Sequence, residues 1–436
     1  MSSSAPDASP DWGAAAAAAP STPDRALLPQ KKASGAVIAT MVLARFGWAF
    51  AIQVPLVASL ALKAQSLVGP DQAVGALGAV TSMGAFVAFV SNPVFGRLSD
   101  RTPGRFGRRR PWLVVGAVGL LLALLGIAMA PSVLMLGAAW TVAQVFANAY
   151  AAPHTATLSD QVPPVQRGMV SGLTGVLQNV AILAAAYTTQ FFSQDQLMLA
   201  LVPGVIGLVL MVLFAFVLPD RQLTHRPASE GGLKTVLKTF WVSPRKNPDF
   251  AWAWVSRFLM VLSTFMFTTF RLLYLQKELG LPTKQAAAVM ATGVLFYTIA
   301  LVASTFFAGW LSDRLKRRKV FIFASAIIFA IGMAVLSQAH SQAPFFLAEA
   351  ILGLGFGAYV GVDLALVVDI LPNPEEAAKD LGVFNIALAV PQTLAPGLGA
   401  VLIGVGGGHN YTLMIIAAAV IGLIGAVTIL PVKKVR

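Results

Sequence analysis

The stretch GRLSDR at residues 96–101, which continues as GRFGRRRPW at 104–112, decides the interpretation of this chain. It is a dense polar run between long apolar segments, and it recurs as GWLSDRLKRRK at 309–319. A repeat with so long a period indicates a duplicated structural unit. In both copies the glycine suits a helix end, the aspartate can accept hydrogen bonds, and the basic run favours a solvated loop.

The bulk composition indicates a protein whose solvent is the lipid bilayer. The chain has 436 residues, of which 57% are hydrophobic and 11% charged, with a mean hydropathy of +0.75. Soluble proteins carry about 25% charged residues, so this chain cannot cover a water-facing surface. It has no cysteine, and its four histidines show no ligand spacing, which argues against disulfides and metal centres. It also lacks a glycine-rich phosphate loop, so we expect no cofactor and no enzymatic activity.

Twelve apolar stretches are long enough to cross a membrane, for which roughly 20 residues suffice. This predicts an all-α polytopic protein with two pseudo-symmetric bundles of six helices. The predicted spans are 35–62, 72–95, 112–130, 132–158, 169–191, 197–218, 250–276, 284–308, 319–338, 344–370, 381–405 and 411–431. The predicted domains are a disordered tail (1–33), an N-terminal bundle (34–218), a linker (219–249) with an amphipathic piece at 233–241, a C-terminal bundle (250–431) and a tail (432–436).

The positive charges predict the orientation. Of the 31 Lys and Arg residues, 25 fall in the tails, the linker and the loops on one side of the predicted spans. Such asymmetry predicts that both termini lie in the cytoplasm. The membrane is then expected to be the plasma or inner membrane of the cell. We expect the basic loops to face lipid head groups and not nucleic acid.

The two halves match beyond the basic loop. Arg45-Phe46 in span 1 corresponds to Arg257-Phe258 in span 7. The segment 150–163 in span 4, which begins with Tyr150, corresponds to 359–372 in span 10, which begins with Tyr359. Parallel six-helix repeats of this kind are typical of alternating-access transporters, whose solute site lies between the halves.

Specific motifs narrow the family. The paired loops resemble the loop between the second and third helices of the major facilitator superfamily and its copy between the eighth and ninth. The loop 104–112 and the segment GVFNIALAVPQ at 382–392 resemble the glycoside-pentoside-hexuronide:cation symporters, especially their sucrose-transporter-like branch. This resemblance implies cation-coupled, usually proton-coupled, uptake of a glycoside. The branch's membrane aspartate, nine residues before the proline matched by Pro153, is Gln144 here, which cannot carry a proton.

Polar side chains at membrane depth are the candidate solute ligands. Arg45 lies too deep to reach the surface comfortably, and is either a ligand in a central cavity or part of a fixed structural pair. Trp48 can stack on a sugar or serve packing. Amides offer both donors and acceptors, as a hydroxyl-rich solute requires, but they also join helices. These amide candidates are Gln53, Gln144, Asn148, Gln178, Asn179, Asn385 and Gln392.

A second group of residues is predicted to couple transport to a cation. Asp363 in span 10 can bind a proton, or it can form a structural bridge with an arginine or histidine. His154 occupies its repeat position in span 4 and can also titrate. Glu349 is an interfacial residue or a gate, and Arg257 is either a partner or extends to the cytoplasmic surface. The predicted gating residues of the loops and helix ends are Gly96, Asp100, Arg101, Arg108, Asp160, Arg167, Asp313, Arg314 and Asp369.

The sequence therefore predicts a secondary active transporter, expected as a monomer, that takes up a sugar-like solute with a proton or another monovalent cation. The alternative is a proton-coupled exporter of drugs or metabolites from the same superfamily. A scaffold without transport activity is disfavoured, because the chain carries no domain outside the membrane.

Overall fold

The computed structural model describes residues 32–220, 242–371, 377–407, 409–433 and 435, and they fold into helices joined by short loops. Most of the predicted linker, including 233–241, and most of the N-terminal tail lie outside the described residues. The first half contains α1 (Gly35–Val54), a π-helical turn (Pro55–Ser59), α2 (Leu60–Asp100), α3 (Arg110–Met129), α4 (Val133–Gln161), α5 (Pro164–Phe192) and α6 (Gln196–Val217). The second contains α7 (Pro248–Thr268), α8 (Arg271–Lys277), α9 (Thr283–Leu315), α10 (Arg318–Ser337), α11 (Gln342–Ile370), α12 (Ala377–Gly404) and α13 (Tyr411–Thr428).

Spans 1 and 2 form a helical segment that turns at Gly69. Eleven helical stretches of the described chain are long and apolar enough to cross a membrane, and the first of them is Gly35–Asp100, of 66 residues. As one straight helix it would be about 100 Å long, roughly three times the hydrocarbon thickness. At Gly69 the backbone leaves the helical region with a φ of 77°, which glycine adopts at little cost. The 66 residues thus supply two crossings, which confirms the predicted architecture of two six-helix bundles.

Two features of the helices differ from the predicted spans. Pro55 lacks a backbone N–H, and the chain passes it through the π-helical turn, which the apolar pattern does not reveal. Span 7, predicted as one segment, is interrupted after Thr268 and resumes as the short helix α8. Elsewhere side chains cap the helices as expected, for example Asp195, whose carboxylate accepts from two backbone N–H groups at the start of α6.

Small residues bring helices together within the second half. A Cβ atom on Gly353, Gly357 or Gly361 of α11 would come within 2.3 Å of α9 atoms, so the two backbones lie in direct contact there. Gly168 and Gly172 of α5 have the same spacing of four, but a Cβ atom on either would meet open space, so this pair brings no helix close.

The two halves meet through α2 against α12 and α5 against α9. Polar contacts between the halves lie at the start of α2: Gln65 Nε2 donates to Gln276 Oε1 at 2.7 Å, and Lys277 Nζ lies 2.8 Å from Asp71 Oδ1. Since α2 and α9 both begin here, both basic loops lie at the other end of the molecule. We call that end the loop side and this one the latch side.

Between the halves a cleft opens toward the loop side. On α5, Ala181, Ala185, Ala186 and Thr189 toward the latch side are completely buried. From 164 to 180, toward the loop side, Val170 is the one buried residue of the helix. Helix α5 therefore loses its packing partner on the loop side, which places the two halves in contact at the latch and apart at the loops.

Candidate transport site and gates

Asp363 forms a buried ion pair in the second half. Its Oδ2 lies 3.0 Å from Arg257 Nη1, and its Oδ1 accepts a hydrogen bond of 2.7 Å from the Tyr359 hydroxyl. The Arg257 guanidinium also lies 4.9 Å from the centre of the Phe384 ring on α12. Arg257 therefore pairs with Asp363 and does not extend to the membrane surface. The cluster joins α7, α11 and α12, of which α12 also packs on the first half.

A second ion pair lies toward the latch side. Arg271 Nε of α8 lies 2.8 Å from Glu349 Oε1 of α11, and the Glu349 side chain has no exposed surface. The guanidinium also lies 5.6 Å from the ring centres of Phe267 and Tyr297. Glu349 is thus a buried partner of Arg271 and not an interfacial residue.

Arg45 of α1 is placed differently, because no carboxylate faces it within the described residues. Its Nη2 donates to the Gln178 side-chain oxygen of α5 at 3.1 Å, and its guanidinium stacks 4.2 Å above the Trp48 ring. Trp48 is fixed in turn, since its indole N–H donates to the Ala147 carbonyl of α4 at 2.9 Å. The cluster of Arg45, Trp48 and Gln178 therefore joins α1, α4 and α5.

His154 lies on α4 at the repeat position of Asp363 but makes different contacts. Its Nε2 lies 2.9 Å from the Met41 carbonyl oxygen of α1. The ring is buried between Tyr150, whose centre is 5.5 Å away, and Phe214, whose centre is 5.3 Å away. His154 therefore binds the backbone of its own half and does not join the Asp363 cluster.

The predicted amide ligands fall into three groups. Asn148 and Gln144 are buried on α4, where the Asn148 side-chain oxygen accepts from Asn92 of α2 at 3.0 Å. Asn179 binds its own helix by donating to the Gly175 carbonyl at 3.0 Å. Gln178 belongs to the Arg45 cluster, whereas among the described residues Gln53, Asn385 and Gln392 have no side-chain hydrogen bond that joins them to these clusters. Asn385 is exposed, and Gln53 and Gln392 are half-buried.

The loop of the first half is held by a buried arginine. Arg109 Nη2 lies 2.5 Å from Asp100 Oδ1, its Nε lies 3.2 Å from Asp160 Oδ2, and its Nη1 donates to Ser99 Oγ at 2.6 Å. Arg108 adds a second contact to Asp160, at 2.8 Å. Of the other predicted residues, Arg167 binds the Val162 and Ser159 carbonyls, while Gly96 faces open space.

The loop of the second half repeats this arrangement of one arginine between two aspartates, in a more exposed form. Arg318 Nη1 lies 2.9 Å from Asp313 Oδ1, and its Nε lies 2.5 Å from Asp369 Oδ2. Arg318 thus corresponds to Arg109, and each bridges a loop aspartate to the aspartate at the end of the helix two spans later. Arg314 instead lies over the Trp310 ring, at 5.5 Å.

Several participants were missed by the sequence reasoning. Arg109 and Arg318 stand in runs of basic residues, where the sequence does not distinguish the buried member. The Tyr150–Tyr359 repeat was noted, yet Tyr359 was not connected with Asp363, although a spacing of four on a helix puts both on one face. Two polar participants carried no further signal: Asn92, and Asp220, whose carboxylate accepts from the backbone N–H groups of Arg109 and Arg110.

Comparison with known proteins agrees with this architecture. The family model described as Major Facilitator Superfamily matches residues 36–300 and 290–436. In structure, the chain resembles a point mutant of the nucleoside transporter NupG with a TM-score of 0.71 at 15% identity, over 91% of this chain and 99% of that one. It also resembles a bacterial homolog of the human lysosomal transporter Spinster, with a TM-score of 0.68 at 14% identity over 90% and 95% of the two chains. At such identities the likeness concerns the fold alone.

Relatives by sequence match only in part. Multidrug resistance protein 3 of Bacillus subtilis (strain 168) is 32% identical over 106 residues, which cover 24% of this chain and 20% of the relative. The putative multidrug resistance protein MdtD of Klebsiella pneumoniae (strain 342) is 27% identical over 155 residues, or 36% and 32% of the two chains. These matches span no more than about a third of either relative, whereas the family model covers nearly the whole chain. The chain belongs to the Major Facilitator Superfamily.

Proposed function

We propose that this chain is a proton-coupled secondary transporter that moves a small polar solute by alternating access, with sugars and glycosides as the first class to test. The observation that carries the proposal is the Asp363–Arg257 ion pair of 3.0 Å inside the membrane-spanning region. A charged pair there is costly, and such pairs commonly mark ion or solute pathways. The placement within the glycoside-pentoside-hexuronide:cation symporters stays a prediction, as do a monomeric state and a plasma or inner membrane with the loop side cytoplasmic.

The geometry suggests how a proton would be coupled. A proton added to Asp363 Oδ2 removes the negative charge that attracts Arg257, and the bond to the Tyr359 hydroxyl alone then holds the side chain. Arg257 becomes free to move relative to α11, and its contact with Phe384 passes that movement to α12. Because α12 packs on α2 of the first half, protonation and the relative position of the halves are linked. Release of the proton to the other side restores the pair.

The test is uptake into proteoliposomes that hold the purified full chain, with a panel of labelled sugars and glycosides and an imposed pH gradient. We expect the wild type to accumulate at least one of them above its outside concentration. Asp363→Asn keeps exchange of that solute between the two sides but loses accumulation driven by the gradient. Asp195→Asn is the matched control, because that exposed carboxylate caps the start of α6, a role that asparagine also fills, and the change should leave coupling intact.

Two results would count against the proposal. Normal gradient-driven accumulation by Asp363→Asn removes that residue from coupling, and the absence of flux for every sugar removes the solute class. The second candidate function is then export, which is favoured because the relatives described above are named multidrug resistance proteins. Resistance of a drug-sensitive host on expression of the chain, without sugar uptake, would support it.

A further inference from the structure

The three arginines within the spans are not equally compensated. Arg257 faces Asp363 at 3.0 Å, and Arg271 faces Glu349 at 2.8 Å. Arg45 has instead an amide oxygen of Gln178 at 3.1 Å and the face of Trp48, neither of which carries a negative charge. Its Nε is buried and meets no hydrogen-bond acceptor in the part of the chain that the structure describes. Within the described residues, Arg45 is therefore the arginine at this depth without a counter-charge.

The internal repeat shows what is missing. Arg45, Tyr150 and His154 occupy the positions of Arg257, Tyr359 and Asp363. In the second half the tyrosine hydroxyl and the arginine both bind the carboxylate of Asp363. In the first half His154 turns to the Met41 carbonyl, and the buried hydroxyl of Tyr150 has no hydrogen-bond partner among the described residues. The first half thus keeps the cation and the hydroxyl of the cluster and lacks its carboxylate.

We propose that the solute supplies this missing charge: it is a small organic anion whose carboxylate binds Arg45. An uncompensated arginine in a membrane span is unfavourable, and an arriving carboxylate would relieve that cost. A guanidinium offers paired N–H donors that match the two carboxylate oxygens. Arg45 is half-buried, so part of its side chain remains accessible. This inference rests on the proposed transport function in one respect, that the cleft is the path of the solute.

Binding is tested with the purified full chain in detergent, by thermal shift at constant ionic strength. The probes are matched pairs that differ only in a carboxylate against a hydroxymethyl group: gluconate and glucitol, lactate and 1,2-propanediol, 4-hydroxybenzoate and 4-hydroxybenzyl alcohol. A charge-assisted contact predicts that at least one acid half-saturates the wild type at a concentration about ten- to hundredfold lower than its alcohol. Arg45→Gln should abolish that difference, and Arg45→Lys should keep part of it.

A second variant distinguishes loss of the anion site from loss of folding. Gln178→Glu places a permanent carboxylate beside Arg45, so the variant should stay folded while its preference for the acid disappears. Asn179→Asp adds the same charge one residue away, on a side chain that binds the Gly175 carbonyl, and should disturb the preference far less. The proposal is overturned if no acid is preferred over its alcohol, or if Arg45→Gln and Gln178→Glu keep the wild-type preference.

Flux measurements separate this inference from the proposed function. If acids bind through Arg45 but cross no proteoliposome membrane, the transport function fails and the anion site stands. If the wild type carries neutral solutes and Arg45→Gln carries them equally well, the transport function stands and the anion site is refuted.

Discussion

Replacement of Arg109 by glutamine should destabilise the protein far more than the same change at its repeat counterpart, Arg318. The Arg109 side chain is 4% exposed, and it contacts Ser99 Oγ at 2.6 Å in addition to Asp100 and Asp160. The Arg318 side chain is 20% exposed, and its partners Asp313 and Asp369 are 67% and 40% exposed. Two equivalent arginines thus work in different dielectric surroundings.

The magnitudes follow from this burial. Loss of Arg109 removes a buried hydrogen bond and leaves Asp160 with one partner, Arg108, at 2.8 Å, so we expect a cost of about 2–3 kcal/mol. The contact to Asp100 adds little, because that side chain is 53% exposed. Loss of Arg318 breaks solvent-exposed pairs, for which about 0–1 kcal/mol is usual.

The assay is reversible unfolding of the purified full chain in mixed micelles with increasing sodium dodecyl sulfate, monitored by tryptophan fluorescence. Arg109→Lys serves as a control that keeps the charge but loses the forked geometry, and should fall between wild type and Arg109→Gln. Equal losses for Arg109→Gln and Arg318→Gln, or a larger loss at Arg318, would refute the argument from burial.

Three further outcomes are expected. Glu349→Gln leaves Arg271 as a buried unpaired charge and should cost about 3–5 kcal/mol in the same unfolding assay; a loss below about 1 kcal/mol would contradict the pairing. Gly357→Leu should destabilise by about 1–3 kcal/mol or more through overlap with α9, while Gly168→Leu, which meets open space, should be nearly neutral. Asp71→Asn removes the ion pair with Lys277 on the latch side and should raise the ratio of molecules open to closed on that side by up to about fivefold. The measurement is the rate of alkylation of a cysteine introduced on the latch side of this cysteine-free chain. An unchanged rate would exclude a role of the ion pair in closing that side.

The fold could be predicted well because it depends on features of whole segments and not on the contacts of single residues. Hydrophobic length sets the spans, and the basic loops mark the repeat, so neither depends on how any one helix is rotated. The interruption after Thr268 and the turn through Pro55 escaped prediction, since apolar residues continue across both.

The candidate site was predictable only as a set of residue types. In helices that are apolar nearly all round, hydrophobic periodicity does not fix which face points inward. The sequence therefore left open which arginine or histidine pairs with Asp363, and Arg257 is the one that the structure brings to it. The contact of Arg45 with Gln178 joins α1 and α5, and the sequence around either residue contains no pattern that predicts it.

Asp220 has a consequence for dissecting the molecule. Its carboxylate oxygen Oδ2 accepts from the backbone N–H groups of Arg109 and Arg110 at 2.7 and 2.9 Å, which caps the start of α3. Asp220, three residues after the end of α6, is therefore fastened to the first bundle. A transporter expressed as two separate polypeptides should reassemble when the cut falls after residue 220, and should lose its α3 cap when the cut falls before it.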